Sequence, residues 1–287
     1  MPTVPTAELV RSAATRGCGV AAFNAITLEH GEAIIAGAEK TRCQVIVQIS
    51  ENAVRFHGGR VGPLAAAVRA AAEAATVGVG LHLDHVESVE LLRQAPEHGF
   101  SSAMFDASRR PYDENVAATR FAADFAHRHG MWLESELGLV GGKAGAPEVS
   151  AHAPGARTDP DEAVSYVAAT GVDGLAVAIG SSHAQTTRTT ALDQRLIAAL
   201  RQAVAVPLVL HGSSGVPDAE LRAAVYNGIV KVNVGTALNL AFTAAVRTSL
   251  AHDAALVDPR RCLAPARDAM ADVVAHFLTV LTAPVGG

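Results

Sequence analysis

A chain of 287 residues has room for one large core, and with 49% hydrophobic and 18% charged residues it is globular rather than disordered. Its net charge of −5 gives no reason to expect nucleic acid as a partner. Cys18, Cys43 and Cys262 lie too far apart for a paired metal motif, and they read as reduced thiols in a cytoplasmic protein. No basic segment leads into an apolar run at the N-terminus, and no apolar run approaches the length of a bilayer, so neither secretion nor a membrane partner is expected.

Short β-rich runs alternate with helical stretches along the whole chain. The predicted strands are 19–24, 44–50, 79–85, 101–106, 132–138, 174–180, 207–212 and 229–235. Amphipathic stretches at 28–40, 62–76, 88–98, 114–129, 160–170, 192–204 and 218–226 separate them. The runs are almost continuously apolar, as in parallel strands covered on both faces. Eight of them separated by helices predict an α/β fold, a single (β/α)8 TIM barrel spanning residues 1–287. A further helical segment, 261–281, is expected outside the barrel or on a partner. The Gly-, Ala- and Pro-rich stretch 139–157 follows the fifth strand directly and is expected to be an active-site lid.

Sites on such barrels form at the carboxyl ends of the strands. Collected there in strand order are Asn24, Ser50, Asp84 with His85, Asp106, Glu134 with Glu136, His183, His211 and Asn233. His85, His183 and His211 come from three different strands and together offer three imidazole nitrogens. Three protein ligands with an open position describe a catalytic zinc site, although other divalent ions suit the same donors. Asp106 and Glu136 are candidates either for a second metal or for supporting the first ligands. His82 is a candidate support group, whereas the histidines on helices and in loops are assigned no role. The turns His211-Gly-Ser-Ser-Gly215 and Asn233-Val-Gly-Thr236 each lead into a helix, where backbone N–H groups bind anions.

The motifs Ala22-Phe-Asn24, Leu81-His-Leu-Asp-His85, Ser102-Ala-Met-Phe-Asp106, Glu134-Ser-Glu-Leu-Gly138, Pro207-Leu-Val-Leu-His-Gly-Ser-Ser-Gly215 and Lys231-Val-Asn-Val-Gly-Thr236 together resemble the class II, metal-dependent fructose/tagatose-bisphosphate aldolases. The resemblance runs over nearly the whole chain. It implies a zinc-dependent lyase that reversibly cleaves a ketose 1,6-bisphosphate to dihydroxyacetone phosphate and an aldehyde. It implies zinc on His85, His183 and His211, and Asp84 as general acid/base. It places phosphate on Ala184, Gly212, Ser213, Ser214, Asn233, Val234, Gly235 and Thr236, with Asn24 and Ser50 in contact with substrate. A homodimer or homotetramer is implied by resemblance alone.

Four departures stand out. Ala184 replaces the usual Gly. Arg188 stands near the usual Lys and is a candidate phosphate partner. The lid has Lys143-Ala144 after Gly141-Gly142, which leaves Glu148 as the candidate lid carboxylate. Leu263-Ala-Pro265 takes the place of an arginine that some members direct at the distal phosphate. Three alternatives therefore stay open: a substrate with a different distal end, such as a keto-deoxy acid phosphate; a Schiff-base aldolase, for which Lys231 is the only strand lysine; and a metal-binding barrel without turnover.

Overall fold

The computed structural model describes residues 3–138, 140–142 and 156–283. The chain opens with α1 (Thr6–Arg16), then β1 (Val20–Asn24), α2 (Leu28–Thr41) and β2 (Val45–Ser50). Two helices follow, α3 (Glu51–Phe56) and α4 (Val61–Ala74), before β3 (Val79–Val86), α5 (Val89–Gln94), β4 (Ser102–Phe105) and α6 (Tyr112–Arg128). The second half runs β5 (Trp132–Leu137), α7 (Pro160–Thr170), β6 (Gly174–Val177), α8 (Gln194–Ala203), β7 (Leu208–Leu210), α9 (Asp218–Asn227) and β8 (Ile229–Val234). It ends with α10 (Thr236–His252) and α11 (Arg260–Thr282). All eight strands are parallel and close into one barrel in sequence order, β8 pairing with β1. The predicted (β/α)8 barrel is thus the observed fold, and α11 packs outside it against α2 and α10.

The period of two along a strand decides which residues face the barrel axis. Ala21, Phe23, Val45, Val47, Leu81, Leu83, Leu208 and Leu210 belong to the core between sheet and helices. Their neighbours Val20, Ala22, Ile46, Trp132, Ala176 and Val209 belong to a second cluster inside the barrel. The α1 residues Leu9, Val10 and Ala13 complete that cluster and plug the amino-terminal end of the barrel. Thr6 fixes the plug: its N–H donates to Ser101 Oγ at 3.0 Å, and its hydroxyl accepts from Ser102 Oγ at 2.7 Å. Toward the carboxyl ends the inward positions turn polar, and the same alternation now presents side chains to the site. Among described residues no helix is long and apolar enough to cross a membrane.

Candidate active site

Asp84 and His85 are adjacent on β3, so an undistorted strand would turn them to opposite faces. The β3–β4 register shifts between Leu83 and Val86, and His85 takes a left-handed backbone with φ of 48°. A bulge of this kind re-aims a side chain, and the strained φ costs on the order of 1–3 kcal/mol. Both side chains consequently line one cavity with His183. The ring centroids lie 5.1 Å apart for His85–His183, 4.8 Å for His85–His211 and 5.8 Å for His183–His211. One nitrogen from each of the three imidazoles falls within 4.8 Å of the others, close enough for one shared ion.

Carboxylates orient two of these rings. Asp106 Oδ2 lies 2.9 Å from His85 Nδ1, which leaves Nε2 as the nitrogen that could take a metal. His211 is fully buried, with Nδ1 2.9 Å from Glu136 and Nε2 2.8 Å from Glu134. An ion bound by His211 must take one of those nitrogens from its carboxylate. Burial alone would lower the His211 pKa, but the hydrogen bonds and charges of Glu134 and Glu136 push it up to about 9. Asp106 thus orients the His85 ring, and Glu134 and Glu136 each hold one nitrogen of His211.

The Asp84 carboxylate is almost fully buried and faces three side-chain amides: Asn24 Nδ2 at 2.9 Å, Gln48 Nε2 at 3.2 Å and, at the edge of contact, Asn233 Nδ2 at 3.4 Å. Burial alone would raise its pKa, but the neighbouring charge of His85, followed by those of Lys231 and His211, holds it below the usual carboxylate value. It is thus kept ionised and able to accept a proton. Gln48 did not figure among the candidates read from sequence. Its signal was available: on β2 it shares the inward face with Ser50, two residues on.

The phosphate candidates also converge. Gly212, Ser213, Ser214, Asn233, Gly235, Thr236 and Ala184 all line the cavity with Asn24 and Ser50. Gly212 has φ of 67°, and a Cβ there would meet the Ser182 carbonyl carbon and oxygen at 2.6 Å, so only glycine fits. Ser213 Oγ donates to Asn233 O at 2.5 Å, and Ala237 N–H donates to Ser214 Oγ at 3.1 Å, which ties the two turns together at the start of α10. Ala184 sits at φ of 58°, the left-handed region that glycine enters freely and alanine only at a cost of about 1–2 kcal/mol.

The family model described as class II fructose-bisphosphate aldolase matches residues 4–284. The chain belongs to that family. A Bacillus subtilis protein named probable fructose-bisphosphate aldolase is 38% identical over 277 residues, covering 96% of this chain and 95% of that one. A Geobacillus stearothermophilus fructose-bisphosphate aldolase is also 38% identical, over 94% of this chain and 93% of its own length. The solved structure of the YdjI aldolase from Escherichia coli K12 superposes with a TM-score of 0.84 at 31% identity, covering 98% of this chain and 97% of that one. As a class II aldolase the chain is a lyase, and its family generally uses a divalent metal.

Several expectations for this aldolase need correction. Arg188 does not line the cavity. Its guanidinium donates to Val216 O at 2.9 and 2.6 Å and to Asp218 at 2.5 Å, and it covers the Phe277 ring at 5.1 Å. Closeness to His183 in sequence misled, because the intervening turn faces α9 and α11. The Val234 side chain belongs to the core under the helices, and Val234 does not line the cavity. The Schiff-base alternative fails on access: Lys231 is fully buried, pairs with Glu134 at 2.8 Å and does not line the cavity. Glu148, with residues 143–155 of the expected lid, lies outside the described residues. The start of that stretch is described: Gly141 pairs with Ser182, and Gly141 O accepts the His183 N–H at 2.8 Å, which steadies the second imidazole.

His82 does not touch the ligand rings. It lies in the barrel interior with Nδ1 2.8 Å from Ser102 Oγ, and burial followed by the Lys231 charge lowers its pKa to about 3. The imidazole is neutral when folded and protonates in the unfolded chain below its ordinary value of 6.5. Its contribution to stability is therefore full above that pH and is lost progressively as the pH falls toward 3. Urea unfolding of wild type and His82→Gln across this window checks the linkage. Wild-type stability is expected to fall by about 1.4 kcal/mol per pH unit more than that of the variant. Parallel slopes would contradict the assignment.

Proposed function

We propose that the chain is a zinc-dependent aldolase that reversibly cleaves a ketose 1,6-bisphosphate, tagatose or fructose, to dihydroxyacetone phosphate and an aldehyde. The observation that carries this reading is the cluster of three imidazoles, their nitrogens within 4.8 Å of one another, at a cavity that His85 and His183 line together with Asp84 and the two glycine turns. What a divalent ion supplies at the imidazoles is Lewis-acid polarisation of the ketose carbonyl. The turns at Gly212–Ser214 and Gly235–Thr236 hold the phosphate next to that carbonyl. Asp84 takes the proton from the hydroxyl beyond the breaking C–C bond and returns it in condensation. Asn24 and Gln48 hold the Asp84 carboxylate in place for that transfer. Purified protein with zinc, offered fructose and tagatose 1,6-bisphosphates, is expected to release triose phosphate. Release from neither, with zinc bound, would refute the reading.

Arg55 and Arg109 line the cavity and are the only lysine or arginine side chains among its described lining. Arg55 pairs with Glu51 at 2.6 Å, and Arg109 pairs with Glu87 at 4.0 Å with both side chains half-exposed. Arg109 sits on a tight turn, Arg110 N–H to Ala107 O at 2.9 Å, anchored where Asp106 accepts from Ser108. This supports an anionic distal group, phosphate or carboxylate, which also accommodates a keto-deoxy acid phosphate. Arg109→Ala is expected to lower kcat/KM for fructose 1,6-bisphosphate by about 10–100-fold while sparing fructose 1-phosphate. An equal loss on both substrates would contradict the assignment.

A further inference from the structure

Lys231 is the one fully buried lysine among the described residues, and no step of the reaction proposed above touches it. Its ammonium reaches in two directions. It donates to Glu134 Oε2 at 2.8 Å, across the barrel from β8 to β5, and to Asn233 Oδ1 at 2.7 Å on its own strand. Each acceptor continues to a different working part of the site. The other Glu134 oxygen meets His211 Nε2 at 2.8 Å, and the other end of the Asn233 amide faces Asp84 at 3.4 Å.

The chemistry of the groups makes both orientations depend on the lysine. A carboxylate with one oxygen held by an ammonium and the other by an imidazole cannot rotate without losing one of them. An amide can flip, but an ammonium has only donors and so selects the oxygen end. That choice leaves the Asn233 N–H₂ end to face the carboxylate of Asp84. We propose that Lys231 is a positioning residue that sets both halves of the site at once, aiming the His211 ring through Glu134 and the Asn233 amide at Asp84. The inference rests on the aldolase reading for the role of Asp84, but not for the aim of His211. Lys231 lies beneath the cavity and does not line it, so it acts on metal binding and turnover without contacting substrate.

Removing the lysine alone would strand a buried carboxylate and threaten folding. The test therefore compares Glu134→Gln with Lys231→Met/Glu134→Gln, the second leaving neither charge of the pair. Zinc affinity is measured on metal-free protein by chelator competition, and kinetics are measured at saturating zinc. Glu134→Gln is expected to lose about 10–100-fold in zinc affinity, with the double variant at least as weak. Only the double variant is expected to lose a further ten- to hundredfold or so in kcat, with KM near wild type. A folded double variant with wild-type zinc affinity, or with the kcat of Glu134→Gln, overturns the proposal. So does a zinc-loaded wild-type structure in which Glu134 has left His211 or the Asn233 amide is reversed, an arm that needs no variant to fold. Wild-type protein that binds zinc and cleaves no ketose phosphate would instead sink the aldolase reading, while the affinity comparison would still decide the link to His211.

Discussion

Asp84→Ala is expected to lower kcat by roughly 10²–10⁴-fold while leaving metal affinity close to wild type. The carboxylate is surrounded by amide donors and neighbouring imidazoles rather than by other acids, which keeps it ionised. Its loss removes the proton acceptor but none of the three imidazoles. The turns after β7 and β8 that are proposed to hold phosphate are also untouched, so KM is expected to move far less than kcat. Steady-state kinetics at saturating zinc, with metal content measured on the same sample, separate these effects. A variant with full turnover would remove Asp84 from its role, and one without metal would show that the carboxylate belongs to the ligand set.

His211→Ala and His183→Ala both delete one imidazole from the cluster, yet their costs in stability are expected to differ widely. His211 is fully buried between Glu134 and Glu136, each also without solvent exposure. Removing its ring leaves the Glu136 carboxylate without this partner and Glu134 with Lys231 alone. Breaking a buried charged network in this way costs about 3–5 kcal/mol. His183 is only partly buried and follows β6 in a turn, and its loss is expected to cost about 1 kcal/mol or less. Both variants are expected to lose zinc and activity, but only His211→Ala should unfold at markedly lower urea concentration when metal-free. Equal unfolding midpoints would contradict the network described around His211.

Much of this was legible in the residues. Mostly apolar runs marked the eight strands, because a parallel barrel covers both faces of its sheet. The polar residues that interrupt those runs at their carboxyl ends marked the site, since nothing but function or pairing justifies burying them. What escaped is equally physical. α1 went unread because it plugs the barrel with Leu9, Val10 and Ala13 alone and is otherwise polar. α10 escaped because only Leu238 is buried along its length, so no apolar stripe announces it. Strand β6 is shorter than its apolar run, as apolar character continues through Ala178 and Ile179 past the last ladder pair at Val177. The alternation rule would have sent His85 away from Asp84, and only the bulge and positive φ of the folded chain bring them together. Arg188 shows the opposite error, in which nearness along the chain was taken for nearness in space.

Zinc titration into metal-free protein, followed by triose phosphate release from a ketose 1,6-bisphosphate, tests the central claim most directly. Three imidazoles that share one ion predict activity rising from zero in proportion to added zinc and levelling at one ion per chain. Cleavage at full rate by the metal-free protein would contradict the account.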